Sequence, residues 1–71
     1  SLPGIVNLRY TGQMSFDVVG VADTECEIEA STDLKKWHVV GRVKLKDGKG
    51  RFFDRRRILL PRCYYRAKVV E

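Results

Sequence analysis

A chain of 71 residues has room for one compact domain and no second. Its 44 % hydrophobic and 32 % charged residues are an ordinary globular balance, which excludes a disordered segment. A net charge of +5 points toward acidic partners, and the longest apolar runs, such as Ile58-Leu59-Leu60, are far shorter than the roughly 20 residues needed to span a membrane as a helix.

Period-two alternation, which sends successive side chains to opposite faces of a strand, organises the whole sequence. Val6, Leu8 and Tyr10 alternate with Asn7 and Arg9, and after a turn at Thr11-Gly12, Met14, Phe16 and Val18 alternate with Ser15 and Asp17. Cys26, Ile28 and Ala30 alternate with Glu25, Glu27 and Glu29, which predicts a half-buried strand with one acidic face. Next comes Ser31-Thr32-Asp33-Leu34-Lys35-Lys36-Trp37, where a hydroxyl or carboxylate can accept backbone N–H bonds and cap one helical turn. Such a turn places Leu34 and Trp37, three residues apart, on the same side, toward the core.

Val39, Gly41, Val43 and Leu45 then alternate with His38, Val40, Arg42, Lys44 and Lys46, a strand with a basic face. Asp47-Gly48-Lys49-Gly50 is a turn by composition, because glycine supplies the positive φ of a tight hairpin. Arg51-Phe52-Phe53 follows as a short strand. After Pro61, Cys63, Tyr65, Ala67 and Val69 alternate with Tyr64, Arg66 and Lys68 in the last one. No segment sustains a helical period. The expected fold is a small all-β antiparallel sandwich of six to seven short strands, one module over residues 1–71, with Trp37, Phe52, Tyr65 and Asp33 as structural anchors.

Cys26 and Cys63 match neither a CxxC redox motif nor a zinc pair. They are either one disulfide of an oxidising compartment or two small buried hydrophobes. No charged start leads into an apolar run, and a start at Ser1 leaves both a processed protein and an excised domain open.

The string Ile28-Glu29-Ala30-Ser31-Thr32-Asp33-Leu34, then Trp37, Gly48, Phe52-Phe53-Asp54, Pro61 and Tyr64-Tyr65-Arg66, resembles a short β-module of large secreted and cell-envelope bacterial proteins. That module's pattern is an I-E-A-S-T-D-L-x-x-W corner, a G-x-x-x-F-x-D segment and a closing R-F-Y-R. Phe16-Asp17-Val18-Val19-Gly20 also suits it, so the resemblance covers about residues 13–69. Cys63 and Tyr64 stand where Arg and Phe are usual, and Arg55-Arg56-Arg57 is unusually basic. The resemblance implies an immunoglobulin-like or fibronectin-like sandwich, an accessory unit without catalytic residues, in an extracellular or cell-envelope setting.

Charge is unevenly distributed, with acids and no bases from Asp17 to Asp33 and mostly bases from Arg42 to Lys68. If the corner joins antiparallel neighbours, Glu25, Glu27 and Glu29 lie across from Lys46, Lys44 and Arg42, each pair contributing about 0.2–1 kcal/mol. Left over are Arg55, Arg56, Arg57 and Arg62 with Lys35, Lys36 and Lys49, a basic patch for an acidic protein partner. Nucleic acid is the alternative partner, bound by a small basic β-barrel, although the row of exposed aromatics that single-strand binders add is not legible. A carbohydrate-binding module, a third reading, needs Trp37 or Tyr64 exposed on a flat face. His38 is the single histidine and has no nucleophile motif near it, and Gly48-x-Gly50 lacks the lysine of a phosphate loop. The expectation is a non-catalytic interaction module with no cofactor and no metal.

Overall fold

The computed structural model describes residues 2–57 and 62–71; the Ile58-Leu59-Leu60 run and Pro61 lie outside the described residues. Six antiparallel strands and, among the described residues, no helix make up the fold. They are β1 (Gly4–Tyr10), β2 (Met14–Val19), β3 (Glu25–Ser31), β4 (His38–Lys44), β5 (Lys49–Asp54) and β6 (Tyr64–Val69). They form two three-stranded sheets, ordered β1-β2-β5 and β4-β3-β6. β4 packs across from β5, and β1 across from β6.

Alternation puts Phe16, Val18 and Phe52 of the first sheet against Cys26 and Ile28 of the second, with Leu45 closing one end, all buried. Phe16 is the centre of this core, its ring 5.4 Å from Phe52 and 4.9 Å from Tyr65. Burying side chains of this size contributes roughly 1.5–3 kcal/mol apiece. The β4–β5 flank is drawn shut by two glycines. A Cβ on Gly41 would stand 2.7 Å from the Phe52 ring, and one on Gly50 would stand 2.8 Å from the Lys44 carbonyl oxygen. Asp47 and Gly48 form the turn that carries the chain between the sheets, at φ 56° and 82°, and Lys49 N donates to Lys46 O at 3.1 Å. Two successive positive φ values match the mirror-image hairpin turn that Asp-Gly favours.

The structure departs from simple alternation at two bulges. β1 carries one extra residue opposite β2 between Val6 and Arg9, with Asn7 at φ 56°. Before the bulge the inward residue is Ile5, opposite Val18, and Val6 faces outward; after it Tyr10, opposite Met14, returns to the inward face, yet Val6, Leu8 and Tyr10, all expected in the core, are exposed. In β4 a register shift opposite Ile28 and Glu29 sets Val39 beside Glu29 on the outer face, where it is exposed, and Val40 packs against the core in its stead. A bulge inserts one residue, and a one-residue step reverses which face every later side chain takes.

Register also corrects the expected charge pairing. Glu25 lies across from Lys44 and Glu27 from Arg42, two residues away from the expected alignment, and Glu29 faces Val39 on β4 and Arg66 on β6. The corner after β3 is not a helical turn. Leu34 sits at φ 64°, which ends any helical progression, and its side chain is exposed rather than turned to the core. Trp37 is likewise outside the core: it is half-buried, with the Arg66 guanidinium 4.1 Å above its ring.

Cys26 and Cys63 are free thiols. Cys26 is paired with Val69 at one end of the β3–β6 ladder, while Cys63 precedes Tyr64, which pairs with Ser31 at the other. Five residues of strand, about 17 Å at 3.3 Å each, separate those ends. A disulfide needs Cα atoms within roughly 7 Å. Cys26 is therefore a buried hydrophobe, and burial pushes its thiol pKa up; Cys63 is half-buried.

Candidate functional site

At the end of the sandwich where β3 leaves and β6 begins, Ala30, Ser31, Thr32, Asp33, Lys36, His38, Arg56 and Cys63 line a cleft of about 160 Å³. This is smaller than the roughly 300–1,000 Å³ of a small-molecule pocket. Both parts of the expected basic patch meet here, for Lys36 comes from the corner and Arg56 from the segment after β5.

The corner holds its shape through side-chain caps. Ser31 Oγ accepts from the N–H of Asp33 at 3.2 Å and of Leu34 at 2.9 Å, and donates to Asp33 Oδ1 at 3.0 Å. Asp33 Oδ1 in turn accepts from the N–H of Lys35 at 2.8 Å and Lys36 at 2.9 Å. Those backbone donors, Lys36 foremost, hold the Asp33 carboxyl below the usual carboxylate range. Asp33 is thus an anchor, and its ring of hydrogen bonds turns Lys35 and Lys36 outward as exposed cations.

Asp54, 1 % exposed at the end of β5, anchors the other side. Arg56 donates to it through Nε at 3.0 Å, a terminal nitrogen at 2.7 Å and its backbone N–H at 3.0 Å, and Tyr65 donates its hydroxyl to Asp54 Oδ2 at 2.7 Å. Burial alone pushes this carboxyl up, but the Arg56 and Tyr65 hydrogen bonds outweigh it and leave the pKa lowered. The same network raises the Tyr65 hydroxyl, chiefly through burial and then through Cys63 and Asp54, and raises Arg56 through Asp54. Arg56 also reaches Cys63 Sγ at 3.9 Å. It is a neutralised structural cation and not a free member of the basic patch.

The other charges are sorted just as sharply. On the outer face of the second sheet Arg42 bridges Glu25 and Glu27 at 3.4 Å each, Arg66 Nε donates to Glu29 at 2.7 Å, and Lys68 lies 3.4 Å from Glu29 and 3.8 Å from Glu27. The Arg66 hydrogen bond leads in holding Glu29 below its ordinary range. On the first sheet Asp17, 2 % exposed, accepts from Asn7 at 3.0 Å and Arg51 at 2.9 Å, with Lys49 at 3.9 Å. Led by the Asn7 hydrogen bond and then that of Arg51, these partners hold it down to about 2.

Among the described residues, Lys35, Lys36, Arg55, Arg57 and Arg62 form no ion pair, and all five are exposed; Arg9, Lys44 and Lys46 also form none and are exposed, away from this cluster in sequence. Each of the five is a cleft residue or the sequence neighbour of one. Trp37 and Phe53 do not extend this cluster into an aromatic platform. Arg66 covers one face of Trp37, and Phe53 lies on the far sheet, opposite Ser15.

Sequence reasoning missed Ser31, Thr32 and His38 as cleft lining, and Asp54 as the residue that removes Arg56 from the patch. An acid two residues before the middle of an arginine run was the available signal. Among the described residues no three of His, Cys, Asp and Glu cluster as metal ligands, and no helix is long and apolar enough to cross a membrane. Comparison with protein-family models, curated proteins and solved structures gives no match.

Proposed function

We propose that this chain is a non-catalytic interaction module that docks an acidic surface of another protein domain or subunit against the cleft end of its sandwich. The observation that carries the proposal is that Lys36 lines the cleft and Lys35, Arg55, Arg57 and Arg62 adjoin its lining residues, five exposed cations with no ion pair, while Arg42, Arg51, Arg56, Arg66 and Lys68 are each tied to a carboxylate. Unpaired cations raise the local concentration of an acidic partner and speed its association.

The resemblance to a secreted and cell-envelope β-module supports an accessory role and an extracellular or cell-envelope setting. The order β1-β2-β5 facing β4-β3-β6 suits an immunoglobulin-like or fibronectin-like sandwich, corresponding to strands A-B-E and C′-C-F of that arrangement. Against a carbohydrate platform stands the Arg66 guanidinium over Trp37.

Titration with polyglutamate and with duplex DNA across a salt series tests the proposal. Polyglutamate binding that perturbs the amides of residues 31–38 and 55–57, and that is lost in a Lys36→Glu, Arg57→Glu variant, supports it. Tighter binding to DNA with a steep salt slope favours the nucleic-acid alternative and overturns it.

A further inference from the structure

We propose that Leu34 is the apolar anchor of the docking surface, and that the segment it meets on the partner protein is acidic with apolar residues set into it. The inference rests on the acidic-partner reading above and adds the contact that seats the partner. Among the described residues four that are not glycine hold positive φ: Asn7, Asp23, Leu34 and Asp47. The left-handed region brings Cβ against the following carbonyl oxygen, and Asn and Asp tolerate it because a short polar side chain can bond the local backbone. Leu34, at φ 64°, has no such compensation and is the one apolar residue of the four. Its side chain draws little from the core either, since the residue is 57 % exposed.

The corner after β3 imposes this conformation. The Leu34 N–H donates to Ser31 Oγ at 2.9 Å, and beyond it the N–H groups of Lys35 and Lys36 donate to Asp33 Oδ1 at 2.8 and 2.9 Å. Bonds on both sides hold the backbone of Leu34 whatever side chain it carries, and a strained residue persists only where its surroundings over-determine it in this way. Glycine or asparagine would keep the same bonds with less strain and without holding an isobutyl group in water. Leucine at this position therefore works against folding twice, by strain and by exposure. Both effects favour a bound state, because a partner that covers the side chain removes it from water and meets a backbone that is already ordered.

Single exposed apolar residues are common, and Leu8, Val21 and Val39 are exposed to a like degree. What separates Leu34 is its setting. Lys35 and Lys36 follow it directly, both exposed and, among the described residues, in no ion pair. The acid beside it, Asp33, has Oδ1 engaged by the Ser31 hydroxyl and by those two backbone N–H groups. An apolar contact bordered by unpaired cations is complementary to carboxylates that border apolar side chains. A second copy fits poorly, since two corners brought together oppose lysine to lysine.

The test compares polyglutamate with a mixed copolymer of glutamate and tyrosine of the same length, each titrated into the full chain and into its Leu34→Gly and Leu34→Asn variants, with urea unfolding of all three proteins. The original chain should bind the copolymer roughly tenfold more tightly than polyglutamate. Both variants should keep the polyglutamate affinity, lose the preference for the copolymer, and unfold at a urea midpoint equal to or above that of the original chain. A preference that survives in both variants overturns the proposal and assigns the contact to other exposed apolar residues. A midpoint that falls in both overturns it by making Leu34 a packing residue of the fold. Equal binding of the two polymers removes the apolar anchor and leaves the basic-end reading standing, whereas binding of neither removes both. Self-association that grows with protein concentration and is lost in both variants assigns Leu34 to a second copy, which also overturns it.

Discussion

Tyr65→Phe, Asp54→Ala and their combination test whether the buried carboxylate network holds the cleft end together. Phenylalanine keeps the ring 4.9 Å from Phe16 and removes only the hydroxyl that donates to Asp54 Oδ2 at 2.7 Å. A hydrogen bond to a charged acceptor contributes about 1.5–3 kcal/mol, and because Arg56 still donates to the same oxygen the cost should lie near the low end, about 1.5 kcal/mol. Asp54→Ala removes the acceptor of the Tyr65 hydroxyl and of three Arg56 donors. Breaking a buried pair costs about 3–5 kcal/mol, and since the Arg56 side chain is 46 % exposed and can turn to water, about 3 kcal/mol is expected. In the Asp54→Ala background the hydroxyl has lost its charged partner, so adding Tyr65→Phe should cost almost nothing, a coupling of about 1.5 kcal/mol.

Equilibrium urea unfolding followed by Trp37 fluorescence and circular dichroism reads all four proteins. A domain of this size has roughly 4–10 kcal/mol of stability in total, so Asp54→Ala moves the midpoint far while leaving the slope unchanged. Single-variant costs that simply add, to within about 0.3–0.5 kcal/mol, would mean that Asp54 and Tyr65 act independently and would refute the network.

Other perturbations read other parts of the fold. Gly50→Ala should destabilise by about 1–3 kcal/mol, because its Cβ would meet the Lys44 carbonyl at 2.8 Å and Val43 at 2.6 Å; a neutral effect in urea unfolding would show that the β4–β5 flank can open. Asp17 titrates at about 2 in the folded chain against an ordinary 3.8, so its stabilising contribution is complete above pH 3.8 and fades as pH falls through about 2. Asn7→Ala should move its carboxyl carbon midpoint upward by nuclear magnetic resonance, and an unmoved midpoint would remove Asn7 as the leading cause. Iodoacetamide should modify Cys63 in the native protein and Cys26 only after unfolding, and a mass showing two hydrogens fewer before reduction would contradict two free thiols.

Alternation made most of the fold legible. Phe16 and Val18 on one strand and Cys26 and Ile28 on another had to share an interior, and the Asp47-Gly48 turn follows from its residue types. What alternation could not carry was the effect of a single inserted residue. Asn7 tolerates left-handed φ better than most residues, yet nothing marks it as a bulge rather than one more outward polar position, and alternation alone placed Val6, Leu8 and Tyr10 in a core that leaves all three exposed. Trp37 was misplaced because size argues for burial and the stacking cation comes from Arg66, 29 residues further along the chain. The candidate site was half visible. Lys35, Lys36 and the arginine run stand out by sign, but their convergence depends on two crossings between sheets, and the acid two residues before Arg56 was the one cue to its pairing.

Division of charge connects fold and function. On β3 the acids Glu25, Glu27 and Glu29 fill one outer face, and both neighbours answer with cations, Arg42 from β4 and Arg66 and Lys68 from β6. Slipping either neighbour by one residue would turn these cations inward against Cys26 and Ile28 and leave three carboxylates side by side, so the pairing selects one register. A cation used in that way is no longer available to a partner. Lys35, Lys36, Arg55, Arg57 and Arg62 lie in connections between strands, where no register is set and no acid stands opposite. Their mutual repulsion is therefore uncompensated within the described residues, and an acidic partner of the kind proposed would relieve it at the cleft end.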